Sequence, residues 1–253
     1  MRKILHVELL AHTPDAEDIV FAAFRQCYSS GFVMDTVVQP RRAGKISAEE
    51  REHFLQNVLM MGHASPLEHV SFTFAIEGIS RACSHQLIRH RIASYSQQSQ
   101  RYCAEGEELD YILPPSIARD EEAKRLYEAF MRQAGETYAR LRERMQKSGC
   151  KRESANEDAR FVLPNAAETK LVATFNARSL LHFLQLRCCS RAQWEIRALA
   201  RRMGQWVQNI SPTLFSHAGP SCEQWGVCFE SPAFSCGRKP PFQPPKTEKP
   251  DGE

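Results

Sequence analysis

The segment HVSFTFAIE, residues 69–77, limits the fold of this chain more than any other stretch of the sequence. Its apolar residues Val70, Phe72, Phe74 and Ile76 alternate with small or polar residues. A period of two is typical of a β-strand that turns one face toward a hydrophobic core. We therefore predict a strand with one buried face here.

The rest of the chain combines strands with long helices. Apolar runs predict strands over 3–10 and 168–177. Because strands and helices alternate irregularly, the order of elements favours an α+β fold over a doubly wound parallel sheet. Apolar residues at helical spacing predict helices over 14–28, over 47–62, from about Ser80 to just before Arg89, over 117–147, and over 177–210 with one break near Cys189.

Two of these helices carry end signals and an apolar stripe. Ser47 and Glu50 have the spacing of a capping box, and Gly149 closes the helix over 117–147. We expect each stripe to face the core. The stripes are Phe54, Leu55, Val58 and Leu59 in the first helix, and Ala123, Leu126, Phe130, Ala134, Leu141 and Met145 in the second.

Composition gives no sign of a second folded domain. A chain of 253 residues with 42% hydrophobic content has room for one large core. Residues 216–238 form a cysteine-containing segment rich in loop residues. The tail over 239–253 is proline-rich and charged, so we expect it to stay disordered.

The stretch RHRIASYSQQSQRYC, residues 89–103, concentrates positive charge and hydroxyl groups without a single acid. The formal net charge of the chain is only +3, so this basicity is local. That favours a discrete anionic ligand over nucleic acid. Arginine guanidinium groups and serine hydroxyls suit phosphates, although a solvated helix end explains the same composition.

The spacing in this stretch is more specific than its composition. Arg89, His90 and Arg91 are followed after seven residues by Ser99, and this RHR-x7-S pattern resembles the signature of the flavin-dependent thymidylate synthases. Three segments resemble that family in the same order: GHASPLEHVSFTF at 62–74, ARFVLP at 159–164, and NARSLLHFLQLRCCSRAQWEI at 176–196.

The resemblance covers roughly residues 15–215. It implies a single catalytic domain over 1–215, with a largely antiparallel sheet flanked by long helices. It also implies a homotetramer whose active sites are shared between subunits. The implied reaction converts dUMP, methylenetetrahydrofolate and NADPH into dTMP, tetrahydrofolate and NADP, with FAD relaying the hydride.

The resemblance also implies two sets of ligand contacts. FAD carries a pyrophosphate and dUMP a phosphate, so a site for both needs several arginines. The implied flavin contacts are His63, Ser65, Arg89, His90, Arg91, Gln97, Asn176, Ala177, Arg178 and His182. The implied dUMP contacts are Gln86, Leu87, Ile88, Arg89, Gln97, Gln98, Ser99, Gln100, Arg101, Arg160 and Arg187.

Two positions depart from some relatives, which have Glu in place of Gln97 and Asn in place of His182. Both residues keep hydrogen-bonding ability, but an amide at position 97 cannot act as a base. For the chemistry itself we predict that Arg187 is the cation that stabilises negative charge building up on the pyrimidine.

Ser99 is the alternative catalytic residue, as a covalent nucleophile at carbon 6 of the pyrimidine. A serine hydroxyl needs a positioned base to take its proton, and the neighbouring residues Gln97, Gln98, Gln100 and Arg101 include none. We therefore interpret Ser99 as a ligand of the nucleotide, most simply of its phosphate.

Two other function classes use the same residues. A flavoprotein reductase would need the FAD contacts but not Arg160 or Arg187, and a measurement of dUMP binding distinguishes it. An RNA-binding module would purify without flavin and bind with steep salt dependence. The sequence has no GxGxxG motif, so FAD must bind by a route other than a Rossmann turn.

Cysteine usage and the N-terminus indicate the compartment. Nine scattered cysteines do not match a secreted disulfide framework, which favours a reduced, cytoplasmic protein. The N-terminus is interpreted as a strand rather than a signal peptide, and no apolar run reaches the length of a membrane span.

Two further groups contain residue types that bind metals. His63 and His69 lack the helical spacing of a zinc protease motif. The residues His217, Cys222, Cys228 and Cys236 lack a CxxC pair. We therefore expect no metal, with a structural zinc at the second group as the alternative.

Overall fold

Four strands form a single antiparallel sheet. The structure is a computed structural model that describes residues 1–106 and 108–244. The strands are β1 (His6–His12), β2 (Ser71–Ser80), β3 (Ser94–Gln97) and β4 (Glu168–Asn176), in the order β1-β2-β4-β3. Every neighbouring pair is antiparallel. The α+β prediction is confirmed, whereas β3 was not predicted because it falls within the basic stretch.

Helices of very different length connect and cover these strands. They are α1 (Ala16–Cys27), α2 (Gln39–Arg42), α3 (Ala48–Met60), α4 (Arg81–Leu87), α5 (Pro115–Ala118), α6 (Glu121–Lys147), α7 (Arg152–Ala159), α8 (Ala177–Arg187), α9 (Trp194–Ile210) and α10 (Ser221–Trp225). Short 3-10 turns occur at Ser65–His69 and Arg160–Val162, and a π-helical turn at Met34–Val38.

Several predicted helix ends are confirmed by their hydrogen bonds. The Ser47 hydroxyl accepts the backbone N–H of Glu50 at 3.1 Å, as the capping box requires. The break expected near Cys189 separates α8 from α9. Gly149 follows α6 with a φ of +91°, the left-handed conformation that ends many helices.

The hydrophobic core lies on one face of the sheet. All four alternating apolar residues of the 69–77 segment are buried, which confirms the predicted face. The Phe72 ring meets Phe215 edge-on, with 5.2 Å between their centroids. The indole N–H of Trp206 in α9 donates to the carbonyl of Val7 in β1 at 2.9 Å, which fixes that helix across the edge of the sheet.

The residues of β2 on the opposite face are not fully buried within this chain. Ser71, Thr73 and Ala75 are only half-buried, and Glu77 is exposed. Side chains from β1, β2, β3 and β4 line an open depression there. This sheet face is therefore available to another surface.

The helix predicted over 117–147 is two helices. Asp120 interrupts it, because its side chain accepts the backbone N–H groups of Glu122 at 3.0 Å and Ala123 at 3.1 Å and so caps α6. An aspartate in this position satisfies N–H groups that a continuous helix would bond internally.

The predicted core face of α6 is wrong at its large apolar residues. Leu126 is 68% exposed and Phe130 is 55% exposed. The buried side carries Ala134, as predicted, together with Met131 and Tyr138, and Met131 and Ala134 pack in a small second core with residues that precede β4. Apolar periodicity identifies the stripe but not what packs against it, and within this chain Leu126 and Phe130 remain exposed.

A glycine allows the N-terminal segment to lie close to β2. Gly78 has a φ of +69° at the point where the pairing register of β2 shifts. A Cβ atom there would lie 1.9 Å from the carbonyl oxygen of Ile4. The Gly78 N–H donates to the carboxylate of Glu168 at 2.8 Å, and this hydrogen bond holds the strand where its register shifts.

A buried carboxylate fixes the start of α4. Glu195 is 4% exposed and accepts both the backbone N–H and the hydroxyl of Ser80, each at 2.6 Å. The same Ser80 hydroxyl accepts the N–H of Cys83 and so caps α4. Because α4 leads directly to Arg89, this contact positions the basic stretch.

We expect Glu195→Ala to lower the free energy of unfolding by about 2–4 kcal/mol, because it leaves buried donors without an acceptor. Glu195→Gln is the matched control, since its amide oxygen still accepts the Ser80 N–H, and it should lose about half as much. Urea unfolding followed by circular dichroism measures both. An Ala variant within about 0.5 kcal/mol of the wild type would contradict this role.

The C-terminal part contacts α8, where the Gln185 amide donates to the side-chain oxygen of Gln224 at 2.9 Å. Cys228 pairs through its backbone with Pro240 and Phe242, each at 2.7 Å. Residues 245–253, most of the tail predicted to be disordered, lie outside the described residues.

Across residues 1–106 and 108–244, no helix has both the length and the apolar character that crossing a membrane requires.

Candidate active site

The basic stretch leaves α4 through a tight turn and continues into β3. The Tyr95 hydroxyl donates to the carbonyl oxygens of Leu87 at 3.1 Å and of His90 at 2.8 Å, which closes the turn. Arg89 and Arg91 are exposed on either side of His90. The Arg89 guanidinium donates to His85 at 2.7 Å, one helical turn earlier.

His90 and Arg187 form the most constrained pair of the predicted site. The Arg187 Nε donates to the His90 Nε2 at 3.0 Å, and the His90 ring lies edge-on to Phe183 with 4.9 Å between centroids. Burial, together with the charge of Arg187, lowers the pKa of His90 to about 4. His90 is therefore neutral near pH 7 and serves as an acceptor that orients the guanidinium.

A cavity of about 360 Å³ lies between α8, the turn at Ser65–His69 and the segment after α9. Arg178 and His182 contribute polar side chains, and Leu59, Leu67 and Leu181 contribute apolar ones. The ring of His182 is 6.3 Å from that of His90. A charged and an aromatic group beside apolar walls suit a ligand that is part polar and part aromatic.

The predicted contacts His63 and Ser65 lie at the same end of the molecule. The Tyr28 hydroxyl hydrogen-bonds to the His63 Nδ1 at 2.7 Å, and Phe24 meets the imidazole edge-on. Ser65 begins the 3-10 turn, whose Glu68 forms an ion pair with Arg178. Asn176 caps α8 by accepting the N–H of Ser179 at 2.8 Å.

These residues form one spatial set, which we call the α8 group. It consists of His63, Ser65, His90, Asn176, Arg178, His182 and Arg187.

A second set, which we call the β3 group, lies at the other end of β4. It consists of Arg81, Gln97, Ser99, Arg101 and Arg160. The Gln97 amide donates to the hydroxyls of Ser84 and Thr169, each at 3.0 Å, and Arg81 donates to the same Thr169 at 3.3 Å. These contacts hold Gln97 in a fixed position.

The remaining members of the β3 group lie around α7. Arg101 pairs with Glu157 at 3.1 Å, and its carbonyl accepts the Asn156 amide at 2.8 Å. The Ser99 hydroxyl accepts the Arg101 N–H at 3.3 Å. Burial, followed by the nearby charge of Arg160, lowers the pKa of Arg81, and two such cations close together favour an anion between them.

Strand pairing keeps the two groups apart within one chain. Gln97 pairs with Leu171, and Asn176 lies five residues further along β4. At about 3.4 Å per residue this is about 17 Å. Ser99 and Arg101 follow Gln97 in the direction away from Asn176, because β3 and β4 are antiparallel.

The other predicted contacts differ in accessibility. Gln86 and Gln98 are half-buried and Ile88 is exposed, whereas Gln100, Leu87 and Ala177 are buried. The last two have no accessible side chain, so any contact with a ligand must use their backbone. The Leu87 carbonyl is already bonded to Tyr95.

The arginines of the predicted site are of two kinds, those that pair with a carboxylate and those that do not. Within the described ranges 1–106 and 108–244, no carboxylate pairs with Arg89, Arg91, Arg160 or Arg187, whereas Arg101 and Arg178 each have one. Cations without internal counter-ions attract anionic ligands most strongly. Arg187 lies in the α8 group and Arg160 in the β3 group, so the electrostatics favour a phosphate-containing ligand at each of the two groups.

Three residues of the site were not predicted from the sequence. Arg81 is separated from Arg89 by the length of α4 and gave no spacing signal. Tyr28 reaches His63 only through the packing of α1. Trp225 lines the first cavity from beyond residue 215, where the family resemblance ended.

The alternative zinc group is divided between two places. His217 lines the cavity beside α8, whereas Cys222, Cys228 and Cys236 line a different one. In the part of the chain that the structure describes, no three His, Cys, Asp or Glu side chains come together as a metal site requires.

Comparisons with known proteins identify a family. A family model described as thymidylate synthase complementing protein matches residues 8–213. The flavin-dependent thymidylate synthase of Nitratidesulfovibrio vulgaris is 53% identical over 235 residues, covering 92% of this chain and 95% of its own length. The protein of the same name from Geobacter sulfurreducens is 47% identical, covering 92% and 94%.

A solved structure shares the fold. The UMP/dUMP methylase PolB from Streptomyces cacaoi, bound with 5-Br dUMP, superposes with a TM-score of 0.70 at 24% identity. The alignment covers 85% of this chain and 94% of that one.

Proposed function

This chain belongs to the thymidylate synthase complementing protein family, and from that premise we propose that it is a flavin-dependent thymidylate synthase. In the proposed reaction dUMP, methylenetetrahydrofolate, NADPH and a proton give dTMP, tetrahydrofolate and NADP. The observation that carries the proposal is the pairing of Arg187 with neutral His90, whose ring lies 6.3 Å from that of His182 in the wall of the 360 Å³ cavity.

The donor set of the α8 group fits FAD. Arg178 supplies a guanidinium for a phosphate, His182 an imidazole, and Leu59, Leu67 and Leu181 apolar surface for a flat ring system. When bound, FAD supplies hydride transfer. The 360 Å³ cavity holds only part of so long a ligand, so the rest of the groove must come from another surface.

Arg187 acts electrostatically in this proposal. Methylation at carbon 5 of uracil places negative charge on the O2 and N3 side of the ring, where a fixed cation lowers the barrier. The hydrogen bond to His90 restrains the guanidinium through its Nε and leaves the two terminal nitrogens to meet the pyrimidine. Because His90 is neutral, it adds no competing charge.

Ser99 acts as a ligand of dUMP. In residues 1–106 and 108–244 no imidazole or carboxylate is hydrogen-bonded to its hydroxyl, which therefore lacks the base that a nucleophilic serine requires. The neighbouring Arg101 and Arg160 suit the phosphate.

We expect Ser99→Ala to weaken dUMP binding about tenfold, the value of one hydrogen bond to a charged group at about 1.5 kcal/mol. Synthase activity should remain measurable at saturating dUMP. Calorimetry gives the affinity, and thymidylate formation gives the turnover. Normal binding with complete inactivity, together with a covalent Ser99 adduct of the wild type by mass spectrometry, would show that Ser99 is the nucleophile.

The assembly that we propose is a homotetramer with active sites shared between subunits. Two observations support it: the α8 and β3 groups are about 17 Å apart along β4, and both the apolar stripe of α6 and one face of the sheet lack a partner within the described chain. All nine cysteines are free thiols, which supports a reducing compartment such as the cytoplasm.

The proposed function is tested on the purified full-length protein. We expect a flavin absorbance band, dUMP binding by calorimetry, and dTMP formation that requires methylenetetrahydrofolate and NADPH. A flavoprotein that oxidises NADPH but does not bind dUMP would be a reductase instead. A colourless protein that binds RNA with steep salt dependence would exclude both enzymes.

A further inference from the structure

Four thiols to which the proposed reaction gives no role line a second cavity. This cavity of about 330 Å³ lies between the C-terminal end of α8, the turn that follows it, and residues 220–238. Its walls include Cys189, Cys222, Cys228 and Cys236. So many free thiols around one cavity suggest chemistry at sulfur.

Cys236 is the accessible member of the set. Its sulfur accepts a hydrogen bond from the Arg238 Nε at 3.3 Å, and the Ser190 hydroxyl donates to it as well. Gly237, with a φ of +74°, makes the turn that brings Arg238 back to this sulfur. The hydrogen bonds from Ser190 and Arg238 lower the pKa of Cys236 to about 6, so the exposed thiol is largely ionised at pH 7.

Cys228 is the natural partner of Cys236. It is 7% exposed, and its sulfur accepts the hydroxyl of Ser235, the residue next to Cys236, at 3.6 Å. Turn hydrogen bonds from Phe234 and Ser235 back to Ser231 fold the intervening loop. An exposed thiolate beside a buried thiol is the arrangement of a peroxide-sensitive pair.

We propose that this cavity is an oxidative modification site, in which hydrogen peroxide oxidises Cys236 and Cys228 then forms a disulfide with it. The Cys236 thiolate attacks one peroxide oxygen, the O–O bond breaks, and the other oxygen leaves as water after taking a proton from solvent. Sulfur loses two electrons and becomes a sulfenic acid. The Cys228 sulfur then attacks it, the S–O bond breaks, and a second water leaves.

Two arginines support the first step. Arg238 stabilises the thiolate directly, and Arg191, which pairs with Glu230 and lies 4.5 Å from the centre of the Phe234 ring, holds the loop against the end of α8. Arg187 also lines the cavity. The proposal stands on the thiols and their contacts and does not depend on the proposed synthase activity.

The test uses the reduced full-length protein and hydrogen peroxide at pH 7. With dimedone present, we expect Cys236 to be labelled about tenfold faster than the exposed thiols Cys103 and Cys150, because more of it is ionised. Without dimedone, peptide mapping should find a Cys228–Cys236 disulfide that dithiothreitol reverses.

Variants separate the two steps. Cys228→Ser should keep the sulfenic acid but form no disulfide, and Arg238→Gln should slow labelling of Cys236 several-fold. Cys150→Ser is the matched control and should change neither step.

Three results would overturn the proposal. One is equal oxidation of Cys236 and the control thiols. Another is a disulfide that pairs Cys236 with Cys189 or Cys222. The third is one equivalent of zinc in the purified protein that Cys236→Ser releases, which would make the cavity a metal site instead.

Discussion

Replacing Arg187 with Ala is expected to reduce dTMP formation about 10²- to 10³-fold while flavin remains bound. The side chain is the one cation that we assign to the pyrimidine, and removing a single preoriented electrostatic contact to a developing charge has an effect of about this size. The loss should appear mainly in kcat, because the contact is stronger in the transition state than with bound substrate. Single-turnover assays of flavin-loaded enzyme measure it.

Arg191→Ala is the matched control for this variant. It removes the same charge four residues later, from the second cavity, where it holds the C-terminal loop rather than a ligand. Its turnover should remain near that of the wild type. Arg187→Lys keeps the charge but loses the planar Nε contact with His90, so we expect an intermediate rate. An Arg187→Ala enzyme with normal turnover would contradict the electrostatic role.

Mixing two inactive variants is expected to restore activity when one is altered in the α8 group and the other in the β3 group. We choose Arg178→Ala and Arg101→Ala, because the two groups are separated along β4 and a shared site would take one from each subunit. After dissociation and random reassembly, about a quarter of the sites would contain both intact groups. The mixture should therefore recover about a quarter of wild-type activity.

The control pair is Arg178→Ala mixed with Arg187→Ala. Both changes lie in the α8 group, so every site that takes its α8 group from either variant is defective and the mixture should stay inactive. A mixture of one variant altered at Ser65 and one altered at Arg178 should also stay inactive. The turn that begins at Ser65 lies next to Arg178, because its Glu68 forms an ion pair with that residue. A mixed oligomer of the first pair that remains inactive would place the whole site on one chain.

The parts of the fold that the sequence predicts are those set by local patterns. Alternation identified the buried face of β2, and a capping box located the start of α3. The basic stretch was correctly expected to follow a helix that begins near Ser80. Each of these depends on residues within a few positions of one another.

The parts that were missed depend on residues distant in sequence. The stripe on α6 satisfied helical periodicity, but which face is buried depends on Leu109 and Ala167, which pack against it. Strand β3 has no apolar alternation that would identify it from the sequence. Its position is set by pairing with β4.

The sequence predicts which residues belong to the site better than it predicts how they are arranged. The family resemblance proposes the residues, but no local pattern indicates that His90 orients Arg187 or that Arg101 already has a carboxylate partner. These contacts join residues 97 and 56 positions apart. The division into two groups likewise follows from strand register, which the motif alone does not contain.

Gly78 has a consequence for anyone who plans to redesign this protein. With no room for a Cβ beside the Ile4 carbonyl, a mutant library that randomises β2 would lose most of its members at this one position. Keeping Gly78 fixed lets the half-buried face of β2 be diversified without disturbing the N-terminal segment.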